Sequence, residues 1–138
     1  ARSNADRILS KAKLDILGTD VDADVLRVAR MNAKRAGFQS QIRFEQADAT
    51  RLPRPEPGTV FVTNPPYGER LGGDAVVGLY AAMGRNWADF SGCEAHILDG
   101  HDAFEEMFGH RWTDSLALSN GSLPVLLRRY EFGAQGRS

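Results

Sequence analysis

The chain has a single cysteine, Cys93, and this scarcity excludes two kinds of stabilisation. One thiol cannot form an internal disulfide, and it leaves too few thiolates for a zinc site of the usual composition. Because Cys93 stands next to a predicted buried strand, we expect a small packing residue rather than a nucleophile. His101 and His110 have no acid or cysteine at a spacing that suggests a metal site, so the sequence predicts none.

Long apolar stretches are missing as well, and no run approaches the roughly 20 residues of a membrane-spanning helix. No secretory signal opens the chain, whose first residues, ARSNADRILSKAK, form a polar segment without an initiator methionine. We therefore expect a cytoplasmic protein without a membrane partner, and a chain that begins inside a longer sequence.

An excess of positive charge is the third absence. Seventeen basic residues stand against eighteen acidic ones, which leaves a formal net charge of −1. A free-standing nucleic-acid binder usually has a basic excess, so this class is disfavoured. The balance still allows a catalytic domain whose grip on nucleic acid comes from another domain. With 138 residues, of which 42% are hydrophobic and 25% charged, we expect one globular domain.

Strand and helix patterns alternate along the chain and end in a hairpin. We predict an N-terminal helical segment in 1–13, a core over 14–132 and a tail at 133–138. The predicted parallel strands are 14–20, 41–46, 59–63 and 94–99, the helices are 22–36, 74–90 and 103–108, and the hairpin strands are 114–119 and 124–132. This order predicts an α/β fold whose sheet is mainly parallel, with a C-terminal antiparallel hairpin.

The helix patterns also predict which residues are buried. In the first long helix, small and apolar residues recur at helical spacing and indicate a buried face: Val25, Val28, Ala29, Asn32 and Ala33. Tyr80 and Trp87 lie on the apolar face of a later helix and are expected in the core. Arg128 and Arg129 are expected to be solvated, with RNA phosphate contact as the alternative.

Three polar residues, Asp20, Asp48 and Asn64, each follow the carboxyl end of a predicted strand. Ligands of open α/β sheets gather at that edge, where an acid such as Asp20 typically accepts hydrogen bonds from ribose hydroxyls. Asp48 would then face the base of the same nucleotide, because a carboxylate is a good acceptor for an exocyclic amine. The alternatives are a helix cap or turn acid at Asp20 and an ordinary loop acid at Asp48.

The stretch VFVTNPPYGER changes in its middle from a strand into a stiff turn with an aromatic tip. The side-chain oxygen of Asn64 and the carbonyl of Pro65 are acceptors that can converge on one NH₂ group. Pro65 and Pro66 hold those acceptors by fixing φ, and Tyr67 offers a ring on which a flipped-out base can stack. The alternative is a rigid diproline turn with an aromatic plug. Because the turn follows a strand in register with two acids, we interpret it as a clamp for a planar amine.

Three segments resemble motifs of class I S-adenosylmethionine-dependent methyltransferases that modify exocyclic amines of nucleic acid: GTDVDADVLRVARMNAKRAG, FEQADAT and VTNPPYGERLG. The sequence is most similar to bacterial large-subunit ribosomal RNA guanine-N2 methyltransferases, in which a THUMP RNA-binding domain precedes the catalytic domain. Related sequences carry the name adenine-specific DNA methylase. The resemblance extends from about Leu14 to Phe132 and implies a Rossmann-like methyltransferase sheet.

The resemblance implies S-adenosylmethionine as the cofactor and assigns residues to it. Asp20 is implied to bind the ribose hydroxyls, Asp48 to accept from the adenine amine, and Ala49 to donate its backbone N–H to the adenine ring. Asn64 is implied to lie at the cofactor as well as at the target amine.

For the target, the resemblance implies that Asn64, Pro65, Pro66 and Tyr67 form the catalytic clamp and stacking platform. Glu69 and Arg70 are implied to shape the base pocket or to meet a phosphate, with a solvated ion pair as the alternative. The implied reaction is methylation of guanine N2 in large-subunit ribosomal RNA. Methylation of adenine N6 in DNA or RNA, or of a glutamine amide, fits the same clamp.

One part of the family pattern has no match, namely the first strand and the glycine-rich loop that cradles the methionine part of the cofactor. The segment before Leu14 contains no glycine. In the family that strand is central, between the strands that here end at Asp20 and Asn64. We therefore expect a C-terminal portion of a catalytic domain that alone is inactive and binds cofactor weakly or not at all. Ribosomal RNA would be held through a missing THUMP-like domain, and an oligomer or swapped partner could fill the strand position. The alternative is a non-catalytic fragment.

Overall fold

The computed structural model describes residues 15–67 and 73–133, apart from the side chain of Asn120. The chain divides into two compact units at the junction of Ala49 and Thr50. The helix predicted within residues 1–13 and the tail after residue 133 lie outside the described residues. The expectation of a single domain stays a prediction.

The first unit is a βαβ arrangement: strand β1 (Ile16–Asp20), helix α1 (Ala23–Ala36) and strand β2 (Ile42–Gln46). The two strands are parallel, as predicted. Asp22 is the N-cap of α1, and its carboxylate accepts a hydrogen bond from the Asp24 backbone N–H at 2.8 Å. Gly37 ends the helix in the left-handed conformation, with φ of 85°. The predicted start and stop of this helix are confirmed.

The buried face predicted for α1 is only partly correct. Leu26 and Ala33 are buried, whereas Val25 and Val28 remain 47% and 48% exposed. The described part of this unit has two strands, spaced about 5 Å apart, and an α-helix is about 10 Å wide. Such a narrow ladder covers one side of the apolar stripe and leaves the rest in contact with solvent.

The second unit contains the larger sheet and two helices. Strand β3 (Val60–Thr63) is followed by helix α2 (Gly73–Trp87), strand β4 (Glu94–Asp99) and helix α3 (Phe104–Phe108), and strands β5 (Trp112–Asn120) and β6 (Leu123–Glu131) form the terminal hairpin. The strand order is β3-β4-β6-β5, with β3 parallel to β4 and both hairpin ladders antiparallel. The predicted α/β fold with a C-terminal antiparallel hairpin is confirmed.

An aromatic core joins α2 and α3 to one face of this sheet. Tyr80 and Trp87 are among its fully buried side chains, as predicted, and the Trp87 ring stacks on Phe90 at 5.8 Å between centroids. The two helices approach so closely that a Cβ on Gly84 would lie 1.9 Å from the Phe108 carbonyl oxygen. Cys93 is buried, which confirms the packing role predicted for it.

Four strands each have one edge without a neighbouring strand in the described part of the chain: β1 and β2 in the smaller sheet, and β3 and β5 in the larger one. Strand β1 pairs with β2 alone, and β3 pairs with β4 alone. On β3, Val60 and Val62 are 56% and 79% exposed. Within residues 15–67 and 73–133, no helix has the length and apolar character needed to cross a membrane.

Candidate functional site

The Asn64-Pro65-Pro66-Tyr67 turn leaves the carboxyl end of β3 and is held by two tyrosine hydroxyls. The Tyr67 hydroxyl donates to Asn64 Oδ1 at 2.6 Å, so the two ends of the turn are bonded to each other. The Tyr80 hydroxyl, from α2, donates to the Pro66 carbonyl at 2.5 Å. Pro65 is buried and the Asn64 side chain is exposed. The turn is therefore rigid and presents the amide of Asn64 at the surface of the second unit.

Tyr80 combines its predicted place in the core with a polar role that the sequence did not indicate. Its ring packs edge-on against Phe104, with 4.8 Å between centroids. Burial raises the pKa of Tyr80 to about 12, and the nearby negative charge of Asp99 adds to the rise. The hydroxyl therefore stays protonated at neutral pH and can donate to the Pro66 carbonyl.

Beside this turn, the end of β4 carries a buried ion pair. Arg128 Nη1 lies 3.1 Å from Asp99 Oδ2 and 2.9 Å from Glu105 Oε1. Burial raises the pKa of Asp99, and the His101 backbone N–H and Arg128 oppose that rise. Trp112 covers Arg128, with the guanidinium carbon 5.2 Å from the ring centroid. Asp99 is thus a buried carboxylate whose charge is matched by one arginine.

The prediction that Arg128 is solvated is wrong, because the residue is 9% exposed. Arg128 lies opposite Ile97 in the β4–β6 ladder, on the sheet face that also carries buried Tyr130. Strand alternation turns every second residue towards the helices, and a pair of adjacent arginines must place one member on that side. Arg129, on the other face, is half-exposed and pairs with Glu94 and Glu131 at 3.2 and 2.9 Å.

A cavity of about 320 Å³ opens between this ion pair and the terminal hairpin. Its polar wall is formed by residues 99–102 with Glu105 and Arg128, and its apolar wall by residues of β5 and β6. The volume is at the small end of the range for ligand sites. In the described residues, no group of three or more His, Cys, Asp or Glu side chains could hold a metal ion.

The acids predicted to hold a nucleoside belong to the first unit. Asp20 ends β1, and its Oδ1 accepts a hydrogen bond from the Asp22 backbone N–H at 2.8 Å. The Asp20 carbonyl accepts from the Ala47 N–H at 3.0 Å, which ties the carboxyl ends of β1 and β2 together. Asp48 and Ala49 follow directly, with Asp48 exposed and Ala49 half-buried. The structure therefore brings these predicted cofactor residues to one end of a two-stranded sheet.

The remaining predicted site residues differ in how far the structure describes them. Asn64 to Tyr67 lie together in the second unit, whereas Glu69 and Arg70 lie outside the described residues. That the nucleoside-binding acids and the amine clamp form one site stays a prediction. Sequence reasoning missed Tyr80 as a hydrogen-bond donor and Gly100, which lies against the Tyr67 ring. A glycine directly after a predicted strand, at the edge where ligands gather, is the signal that could have identified Gly100.

Comparison with known proteins gives consistent findings. The family model described as RMKL-like, methyltransferase domain, matches residues 1–129. Two curated proteins named ribosomal RNA large subunit methyltransferase K/L are similar: the one from Vibrio campbellii is 40% identical over 135 residues, and the one from Aliivibrio salmonicida is 37% identical over 134 residues. Each match covers 94% of this chain and 19% of the relative. The chain thus spans about a fifth of the length of the curated relatives it matches.

Solved structures are similar in both sequence and fold. The SMU.472 protein, solved as a complex with SAH, is 33% identical with a TM-score of 0.83, over 88% of this chain and 33% of that one. A possible methylase from Clostridium difficile 630 is 30% identical with a TM-score of 0.87, over 99% of this chain and 37% of that one. A predicted N6-adenine-specific DNA methylase from Listeria monocytogenes is 32% identical with a TM-score of 0.73, over 87% and 31%.

The ion pair at the end of β4 yields a stability prediction. Replacing Arg128 by Met leaves Asp99 buried without its cation, and we expect the free energy of unfolding to fall by about 3–5 kcal/mol. The matched control is Arg54→Met, because Arg54 pairs with Asp89 at 3.2 Å with both side chains largely exposed. Loss of that pair should cost about 0–1 kcal/mol. Denaturant unfolding of both variants makes the comparison, and equal losses would contradict a special role for the buried pair.

Proposed function

This chain belongs to the family of RMKL-like methyltransferase domains, and on that premise we propose that its protein methylates an exocyclic amine of large-subunit ribosomal RNA, with S-adenosylmethionine as methyl donor. The observation that carries the proposal is the rigid Asn64–Tyr67 turn at the carboxyl end of β3, braced by the hydroxyls of Tyr67 and Tyr80. The names of the curated relatives and the SAH complex of a similar structure support it.

The first unit has side chains that suit the nucleoside part of the cofactor. Asp20 ends β1, and Asp48 and Ala49 follow β2, whose end is bonded to that of β1. Carboxylate oxygens accept hydrogen bonds from ribose hydroxyls and from an adenine amine, and a backbone N–H can donate to a ring nitrogen. We assign Asp20 to the ribose, and Asp48 and Ala49 to the adenine.

The turn in the second unit suits a planar NH₂ group. An amide oxygen has two lone pairs, so Asn64 Oδ1 can accept from the target amine while it accepts from Tyr67. The Pro65 carbonyl is the proposed second acceptor, and the Tyr67 ring the proposed stacking surface for the base. When bound, S-adenosylmethionine would supply an electrophilic methyl group on sulfur; Asn64 and the Pro65 carbonyl would orient the target amine towards it, and the amine's proton would pass to water. The chain's residues contribute alignment rather than a strong base.

For the target we propose guanine N2, because the NPPYGERLG segment resembles that of guanine-N2 methyltransferases. Adenine N6 is the second candidate, and the name of the similar Listeria protein favours it. Both present an sp² amine to the same clamp. Mass spectrometry of ribosomal RNA nucleosides from a deletion strain distinguishes them, since the missing modification is N2-methylguanosine in one case and N6-methyladenosine in the other.

We further propose that ribosomal RNA is held mainly by a THUMP-like region outside this chain. The net charge of −1 supports this, since phosphate contacts require a positive surface. We also propose that a strand absent from the described sheets pairs with the open edges of β1 and β3, supported by the lack of a neighbouring strand on one edge of each within the described residues. Such a strand is supplied by the rest of the polypeptide or by a second copy.

The amine clamp predicts a specific kinetic defect. Replacing Asn64 by Ala removes one acceptor from the developing charge on the amine, and we expect kcat to fall by about 100-fold. The Kd for S-adenosylmethionine should change far less, because the nucleoside is held by other residues. Methyl transfer from labelled cofactor to ribosomal RNA by the full-length protein gives kcat, and calorimetry gives Kd. Asn32→Ala is the control, because Asn32 on α1 is exposed, contrary to the buried position predicted for it. Equal losses in kcat and affinity would indicate a structural role for Asn64.

The nucleoside assignment predicts the opposite pattern. Replacing Asp20 by Asn weakens charge-assisted hydrogen bonds to ribose, and we expect affinity for S-adenosylmethionine to fall by about 10- to 100-fold. Asp24→Asn is the matched control, since Asp24 is exposed and lies four residues after Asp20, in the first turn of α1. Calorimetry on the full-length protein measures both. Unchanged affinity in Asp20→Asn would contradict the assignment. Asp20 would then be a turn acid only, a role already shown by the hydrogen bond that it accepts from the Asp22 N–H.

The missing strand predicts an exchange pattern in the full-length protein. An edge strand exposes every second backbone amide, so these amides exchange quickly with solvent deuterium. If a strand pairs with β3, all backbone amides of β3 should be protected from exchange. Strand β5, the opposite edge of the described sheet, should retain fast-exchanging amides. Fast exchange in both strands would show that the edge of β3 is open and that no strand fills it.

A further inference from the structure

The residue after β4, Gly100, lies directly beneath the ring of Tyr67. A Cβ added to Gly100 would lie 2.8 Å from Cζ, 2.9 Å from Cε2 and 3.0 Å from Cδ2 of that ring. Gly100 is not among the described glycines with positive φ, so its backbone conformation is open to other residues. The need for glycine at this position therefore comes from the ring.

We propose that Gly100 is a positioning residue for methyl transfer: the space left by its missing side chain seats the Tyr67 ring and so holds the Tyr67 hydroxyl on Asn64. The inference rests on the proposed function, in which Asn64 accepts from the target amine. It adds a residue that follows a different strand, β4, to the four-residue clamp.

The hydroxyl position depends on this seat. Ordinary contact begins at 3.4 Å, so a Cβ on Gly100 would displace the nearest ring atoms by roughly 0.6 Å or more. The bond from the Tyr67 hydroxyl to Asn64 Oδ1 is 2.6 Å long, and O–H···O bonds weaken beyond about 3.0 Å. A displaced ring loses or distorts this bond and releases the Asn64 amide from its fixed orientation.

The turn itself cannot follow the ring, because its other side is tied to the core. The buried Tyr80 hydroxyl holds the Pro66 carbonyl, and the Tyr80 ring packs edge-on against His101 with 5.5 Å between centroids. Two prolines restrict the backbone between Asn64 and Tyr67. The strain of a larger residue at position 100 therefore falls on the Tyr67 side chain.

The backbone of Gly100 is anchored as well. The next residue, His101, donates its backbone N–H to Asp99 Oδ1 at 3.2 Å, and its ring Nδ1 accepts from the Ala103 backbone N–H at 3.0 Å. Asp99 is fixed by Arg128. Because both of its neighbours are held, the backbone of Gly100 is fixed. A side chain added at this position would therefore displace the Tyr67 ring.

The test is Gly100→Ala in the full-length protein, with Gly78→Ala as the matched control. A Cβ at Gly78, on the exposed side of α2, meets nothing within 4 Å. We expect Gly100→Ala to lower kcat for methyl transfer to ribosomal RNA by about 10- to 100-fold, the size of effect that a misplacement near 1 Å produces. The Kd for S-adenosylmethionine should be unchanged, a split that general destabilisation does not give. Gly78→Ala should match the wild type.

A double variant shows whether the effect runs through Tyr67. Tyr67→Ala removes the ring, so adding Gly100→Ala to it should reduce kcat no further. Fully additive losses, or a kcat for Gly100→Ala equal to that of Gly78→Ala, would overturn the proposal.

A crystal structure of Gly100→Ala separates this inference from the proposed function. We expect the Tyr67 hydroxyl to have left Asn64 Oδ1, and an undisturbed hydrogen bond would refute the seat whatever the activity. If the wild-type protein transfers no methyl group to ribosomal RNA, the proposed function fails. In that case the crystal structure still tests whether Gly100 positions the Tyr67 ring, independently of any activity.

Discussion

The hydrogen bond from Tyr80 to the Pro66 carbonyl connects the hydrophobic core to the candidate clamp, and the geometry of the clamp depends on it. Proline has no N–H, so its carbonyl is the one main-chain group through which the core can bind that residue. Tyr80 suits this task because its ring is packed against Phe104 and its hydroxyl stays protonated, with a pKa of about 12. Strand β3, the diproline turn and helix α2 are thereby held together, and the Asn64 side chain extends from a fixed base.

The end of β4 meets the clamp from the other side with a different kind of constraint. Asp99 is buried, and burial of a carboxylate is unfavourable unless the charge is compensated. Arg128 supplies that compensation from β6, which lies beside β4, and Trp112 and Glu105 in turn hold Arg128. Stiffness at this end of the strand thus comes from matched charges, whereas stiffness at the turn comes from prolines and aromatic packing. Gly100 lies where the two kinds of constraint meet.

The sequence predicted the order of elements well because local signals specify them. Asp22 and Gly37 are the start and stop of α1 as expected, and strand 94–99 has the predicted bounds. The residues that support the clamp could not be identified in this way. Tyr80 fits an apolar helix pattern whether or not its hydroxyl has a partner, and the burial of Arg128 depends on which strand pairs with β6. The contact between Gly100 and Tyr67 joins the segments that follow β4 and β3, so the sequence marks Gly100 as a glycine after a strand but does not show which residue it contacts.

Each half of the predicted chemistry is held by contacts inside its own unit. The Asp20 carboxylate is fixed by its own loop, and the bond from the Ala47 N–H to the Asp20 carbonyl joins the ends of β1 and β2. The clamp is held by Tyr67, Tyr80 and the end of β4, all in the second unit. The proposed binding of a nucleoside and the proposed orientation of an amine therefore depend on separate sets of interactions. A substitution in one set can change its own function while the hydrogen bonds of the other remain intact, which is why affinity for the cofactor and the rate of transfer should respond to different residues.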